Sequence, residues 1–168
     1  TAVGGIIGHS MSGENLEYLT NYAEVKATAT GNIAVGGIVG QMENQTSDAM
    51  TFTKCYNYGA VTGTWYTGGI IGYLRHKGVT LESCSNDGTV EGVTGQVGEM
   101  IGYADAGISD IHCNDCMVKG NAYTYSAQLA SDSSEDSQVV ADASVDESEE
   151  TTQAEQSIAS WDEEKTKN

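Results

Sequence analysis

The chain has 168 residues, 24 Asp plus Glu against 7 Lys plus Arg, a formal net charge of −17, 21 glycines and no proline. So large an acidic excess excludes nucleic acid as a partner, because binding a polyanion releases counterions only where Lys and Arg neutralise phosphates. No run of 18 apolar residues occurs, so no direct membrane insertion is expected of this segment.

The first element is the apolar block Val3-Gly4-Gly5-Ile6-Ile7-Gly8. It returns as Val35-Gly36-Gly37-Ile38-Val39-Gly40 and as Thr67-Gly68-Gly69-Ile70-Ile71-Gly72. An altered copy follows, Val97-Gly98-Glu99-Met100-Ile101-Gly102. The leading glycines Gly4, Gly36, Gly68 and Gly98 are spaced by 32, 32 and 30 residues. A second block trails each copy. It reads Leu19-Thr20-Asn21-Tyr22-Ala23-Glu24-Val25, then Cys55-Tyr56-Asn57-Tyr58-Gly59-Ala60-Val61, then Cys84-Ser85-Asn86-Asp87-Gly88-Thr89-Val90. The fourth is aligned as Cys113-Asn114-Asp115-Cys116-Met117-Val118, one residue short. The distance between the two blocks varies from copy to copy, which places a loop there.

Each glycine block predicts a short buried strand, too brief for a helix. Asn57-Tyr58-Gly59 and Asn86-Asp87-Gly88 are turn signals, and each precedes a small or β-branched pair. No helical periodicity is sustained in residues 1–125. Each repeat therefore reads as two or three short strands joined by turns. A unit of roughly 30 residues cannot bury both faces of such strands, whereas stacking equivalent strands builds a continuous core. The expected fold is all-β: a β-solenoid of about four repeats over residues 1–125, with rungs about 4.8 Å apart and glycine at the bends. A β-sandwich uses the same strands but does not require the sequence to recur.

These blocks, above all Val35 to Gly40, Cys55 to Gly63 and Gly68 to Gly72, resemble the GLUG repeat of large bacterial cell-surface and secreted proteins. The resemblance covers about residues 1–125. Leu19 in place of Cys, and Glu99-Met100 in place of Gly-Ile, depart from it. It implies a bacterial, extracellular or surface location and a repetitive β architecture, in proteins that include adhesins and immunoglobulin-cleaving proteases. It implies a structural spacer or adhesion module facing a host or cell-surface protein or glycan, or an accessory region of a surface protease. It implies no catalytic residue, since its motif consists of packing and turn residues: here Gly4, Gly5, Gly8, Gly36, Gly37, Gly40, Gly68, Gly69, Gly72, Gly98, Gly102, Cys55, Cys84 and Cys113.

Composition changes over residues 126–168. From Ser131 to Asn168 there are 12 acidic residues, with Lys165 and Lys167 the only bases. Such a segment lacks the apolar surface to offset its ordering entropy and is expected to be a disordered acidic linker or tail. Gln156 to Trp161 is the one stretch in it that reads as the start of another structured segment. The chain begins at Thr1 inside a repeat, so it is expected to belong to a larger chain.

Candidate chemistry is sparse. Trp65, Tyr66 and Tyr73, with Tyr56 and Tyr58, form an aromatic-rich middle suited to stacking on sugar rings or to covering the solenoid edge. Asn21, Asn57 and Asn86 recur at one position and read as turn or ladder residues. Cys55, Cys84 and Cys113 read as an inward column of thiols, and adjacent rungs are near enough for a disulfide in an oxidising setting. His112-Cys113-x-x-Cys116 offers zinc one ligand pair where two are usual, so no metal or cofactor is expected. His9, His76 and His112 fall in separate repeats with no recognisable nucleophile beside them. Arg75 is the only arginine in residues 1–130 and no paired carboxylates recur, so neither a polysaccharide lyase nor a hydrolase is expected.

Overall fold

The computed structural model describes residues 1–11, 15–43, 50–75, 78–105 and 110–125, and among them every regular element is a strand. The expected linker over residues 126–168 lies outside the described residues. The first turn comprises β1 (Ala2–Gly4), β2 (Ile7–Ser10), β3 (Leu16–Glu17), β4 (Thr20–Asn21) and β5 (Val25–Lys26). The second comprises β6 (Ala34–Gly36), β7 (Val39–Glu43), β8 (Met50–Thr53), β9 (Tyr56–Asn57) and β10 (Val61–Gly63). The third comprises β11 (Tyr66–Gly68), β12 (Ile71–Arg75), β13 (Gly78–Glu82), β14 (Ser85–Asn86) and β15 (Val90–Gly92). The fourth comprises β16 (Gln96–Gly98), β17 (Ile101–Ala104), β18 (Asp110–Asn114) and β19 (Cys116–Val118), after which β20 (Asn121–Tyr123) doubles back. A full turn thus holds five short strands, more than the two or three read from the turn signals.

Equivalent strands pair in parallel from turn to turn, giving five sheets that run the length of a β-solenoid. The leading glycines are in register, Gly4 with Gly36, Gly36 with Gly68, and Gly68 with Gly98. The glycine block is a tight arch whose two limbs touch through their backbones. A Cβ on Gly36 would lie 1.9 Å from the Val39 carbonyl oxygen, and one on Gly72 would lie 2.6 Å from backbone atoms of Val35 and Gly40. No other residue fits there.

The larger core fills the space enclosed by the sheets built on β7, β8 and β9. Ile38, Val39, Met42, Met50 and Phe52 lie here with Ile70, Ile71, Leu74, Leu81 and Met100, all fully buried. A smaller core, with Val25, Ile33, Val35 and Val61, lies between the sheets of β5 and β6. Each large side chain so buried contributes about 1.5–3 kcal/mol. The paired strands also satisfy the backbone along the stack.

The bend between the third and fourth strands of each turn is made without glycine. Tyr18, Lys54, Ser83 and Asp115 all adopt the left-handed conformation there, with φ of 58°, 52°, 51° and 50°. Each placement costs a non-glycine residue about 1–2 kcal/mol. The ladder offsets it, because these amides still donate to the next turn: Tyr18 N to Thr53 O at 3.0 Å, Lys54 N to Glu82 O at 2.9 Å and Ser83 N to Asn114 O at 2.8 Å.

The fourth turn is built differently. Lys119 (φ 48°) and Gly120 (φ 81°) form a two-residue hairpin that lays β20 antiparallel on β19. Positive φ at both positions is the signature of a type I′ turn.

Candidate functional site

The sheet β2-β7-β12-β17 carries a column of side chains in register, His9, Gln41, Tyr73 and Tyr103. Tyr66, from the neighbouring sheet, packs against two of them. Its ring lies 4.7 Å from Tyr73 at 34° and 4.7 Å from Tyr103 at 13°. Trp65 meets Tyr66 edge-on at 6.0 Å and 74°. The structure therefore brings together Trp65, Tyr66 and Tyr73 and adds Tyr103. The missed residue had a signal, since Gly102-Tyr103 repeats Gly72-Tyr73.

A charged row runs beside the rings. Arg75 Nη1 lies 3.1 Å from Glu43 Oε1, and its Nε lies 3.5 Å from Asp105 Oδ2. His9 Nε2 lies 3.4 Å from Glu43 Oε2. Tyr73 Oη donates to Asp105 Oδ1 at 2.5 Å. Burial, then that hydrogen bond, push the Tyr73 phenol above its ordinary range. Burial also raises Tyr103. Trp65 Nε1 and Gln96 Oε1 are buried near this cluster without a hydrogen-bond partner.

Tyr56 and Tyr58 do not join that cluster. Tyr58 stacks on Tyr22 at 5.0 Å and 8°, with the two residues 45% and 76% exposed. Lys54 Nζ lies 5.5 Å from the centre of the Tyr18 ring nearby. The aromatic-rich middle thus divides between two faces of the solenoid.

Asn21, Asn57 and Asn86 form a buried ladder. Asn21 Nδ2 donates to Asn57 Oδ1 at 2.8 Å, and Asn57 Nδ2 donates to Asn86 Oδ1 at 2.8 Å. Each also donates to a carbonyl two residues on, at Ala23, Gly59 or Gly88. The paired amide reads as both turn and ladder because it is both. A Cβ on Gly37 or Gly69 would fall 2.4 or 2.3 Å from Cγ of the adjacent asparagine, so glycine there makes room for the ladder.

The third thiol rung is a correction. Ser85 pairs with Tyr56 and with Met117, so Cys116 and not Cys113 stacks with Cys55 and Cys84. Cys113 pairs with Leu81 in the preceding strand, in the column of Leu16 and Phe52. All four thiols are free, with Cys113 partly buried and the others buried. Among the described residues, no three His, Cys, Asp or Glu side chains gather as a metal site. His112 is exposed on β18, and His76 lies outside the described residues.

No protein-family model, characterised protein or solved structure matches this chain. Among the described residues, no helix is long and apolar enough to cross a membrane.

Proposed function

We propose that the chain is a non-catalytic repeat module of a bacterial surface or secreted protein, a stiff spacer whose side carries an adhesive aromatic face for glycan. One observation carries this reading: Trp65, Tyr66, Tyr73 and Tyr103 lie together beside the Glu43–Arg75–Asp105 row on a frame of paired strands. Aromatic rings take the CH faces of sugars, while carboxylates and guanidinium groups orient hydroxyls. A rigid frame lowers the ordering entropy that binding must overcome. The resemblance to GLUG repeats supports the surface setting. Both carboxylates of the row are engaged by one guanidinium, an arrangement suited to holding a ligand rather than to acid–base exchange.

A glycan array probed with the intact protein and with Tyr66→Ala tests this. Binding to a defined glycan class that falls at least tenfold in the variant is expected. Absence of binding, or binding indifferent to Tyr66, removes the adhesive face and leaves a spacer.

A further inference from the structure

The bend between the third and fourth strands brings two inward side chains together in every turn, three residues apart. The pairs are Leu16 and Leu19, Phe52 and Cys55, Leu81 and Cys84, and Cys113 and Cys116, all in or against the larger core. Only in the last turn are both members cysteine. There the two cysteines flank one left-handed residue, Asp115, with Cys113 packed against the larger core and Cys116 buried in it. Cys116 Sγ is further held by the carbonyls of Leu81 at 3.4 Å and Asn114 at 3.5 Å. Cys113 is only partly buried, whereas Cys84 is buried and its Sγ approaches Phe52 O at 3.3 Å.

We propose that Cys113 and Cys116 are an oxidation site, closing to a disulfide that staples the terminal turn when a low-molecular-weight disulfide is present. Cys113, as thiolate, attacks one sulfur of the small disulfide, forming a mixed disulfide and expelling one thiolate. The Cys116 thiolate then attacks the Cys113 sulfur and expels the second. Two protein thiols lose two electrons and two protons, and the small disulfide becomes two thiols.

The roles follow from position. Cys113 is the partly accessible sulfur and takes the first step. Cys116 is buried on the other side of the Asp115 bend and is the sulfur that resolves the intermediate. The staple would cross the bend at Asp115, whose φ of 50° is held in the earlier turns by a further rung. Among the described residues, β18 is the last strand of its sheet.

The test is to incubate the protein with oxidised glutathione, alkylate the free thiols under denaturing conditions, and cleave on the amino side of aspartate. The expected result is the peptide Asp110 to Asn114 joined to the one beginning at Asp115, with Cys55 and Cys84 alkylated. The melting temperature of the oxidised protein should rise by a few degrees. Cys84→Ser should retain the linkage and Cys113→Ser should lose it. Four alkylated thiols, or a Cys84–Cys116 linkage, overturns the proposal. A linked pair without a rise in melting temperature overturns the stapling role.

Discussion

The carboxylate of Glu99 accepts the side-chain amide of Asn86 at 3.3 Å and so ends the asparagine ladder. The same carboxylate meets Lys119 Nζ at 3.0 Å. Glu99 stands where earlier turns have Gly5, Gly37 and Gly69, and Val118, in register with Asn86, stands where they have asparagine. These two departures from the repeat are one device. At Gly37 a Cβ would meet both the next turn's Gly69 O at 2.1 Å and the Asn57 side chain at 2.4 Å, and among the described residues neither a further turn nor an asparagine stands against position 99.

That pairing makes a coupling prediction. Val118→Asn alone should destabilise the protein, because the new amide meets the Glu99 side chain. Glu99→Gly alone leaves Asn86 Nδ2 without its terminal acceptor. The double variant rebuilds an ordinary rung and should be more stable than the sum of the singles by about 0.5–3 kcal/mol, the range for contacting residues. Denaturant midpoints of the four proteins measure it, and additivity would contradict the capping role.

Asn57 sits mid-ladder and is fully buried. Asn57→Ala removes the acceptor of Asn21 Nδ2 and the donors to Asn86 Oδ1 and Gly59 O. Leaving buried polar groups unpaired costs about 1–3 kcal/mol each. A loss of at least about 2 kcal/mol is expected in chemical denaturation. A loss below about 0.5 kcal/mol, typical of surface substitutions, would show that the ladder is dispensable.

The glycines should differ sharply within one column. A Cβ on Gly8 meets only Ala2 O at 3.5 Å, an ordinary contact, whereas on Gly40 it meets Val3 O at 2.5 Å and Gly8 O at 2.6 Å. Gly8→Ala is expected to change stability by no more than about 0.5 kcal/mol, and Gly40→Ala to remove more than about 3 kcal/mol. Thermal melts of the two variants side by side decide it, and equal melting temperatures would rule out the close-packed arch.

Alkaline pH should loosen the fold. Tyr73, Tyr103, Tyr123 and Tyr125 are all raised, chiefly by burial. A folded value above the unfolded one means that the unfolded chain gives up its proton first. The stability from these groups is therefore intact below the unfolded value of about 10 and is lost as pH rises through the folded values. Denaturant midpoints should fall above about pH 10, less steeply in Tyr73→Phe. Phenolate absorbance showing every tyrosine of the folded protein titrating at the ordinary value would refute this.

The stack was legible because glycine marks it: at Gly36, Gly40, Gly68 and Gly72 a Cβ would strike backbone of a neighbouring strand or turn, so the repeat cannot drift at those positions. The left-handed bend was not legible, since Tyr18, Lys54, Ser83 and Asp115 share a backbone conformation and no side-chain chemistry. The fourth copy misled for a related reason. With Val118 in place of asparagine, Cys-x-x-Cys offers two alignments, and the hydrogen-bond register selects the second cysteine. At the aromatic site, Tyr66 and Tyr73 were visible as a local cluster, whereas Tyr103 joins them only through the parallel pairing of β12 and β17.

In-register parallel pairing also has a mechanical consequence. The inter-turn hydrogen bonds lie along the solenoid axis, so tension applied between its two ends loads them in series, one rung at a time. Such a rod gives way turn by turn at low force instead of shearing at once. Each released turn of roughly 30 residues can pay out about 100 Å of extended chain. A module stiff enough to hold a binding face away from its support would thus also act as a shock absorber under pull.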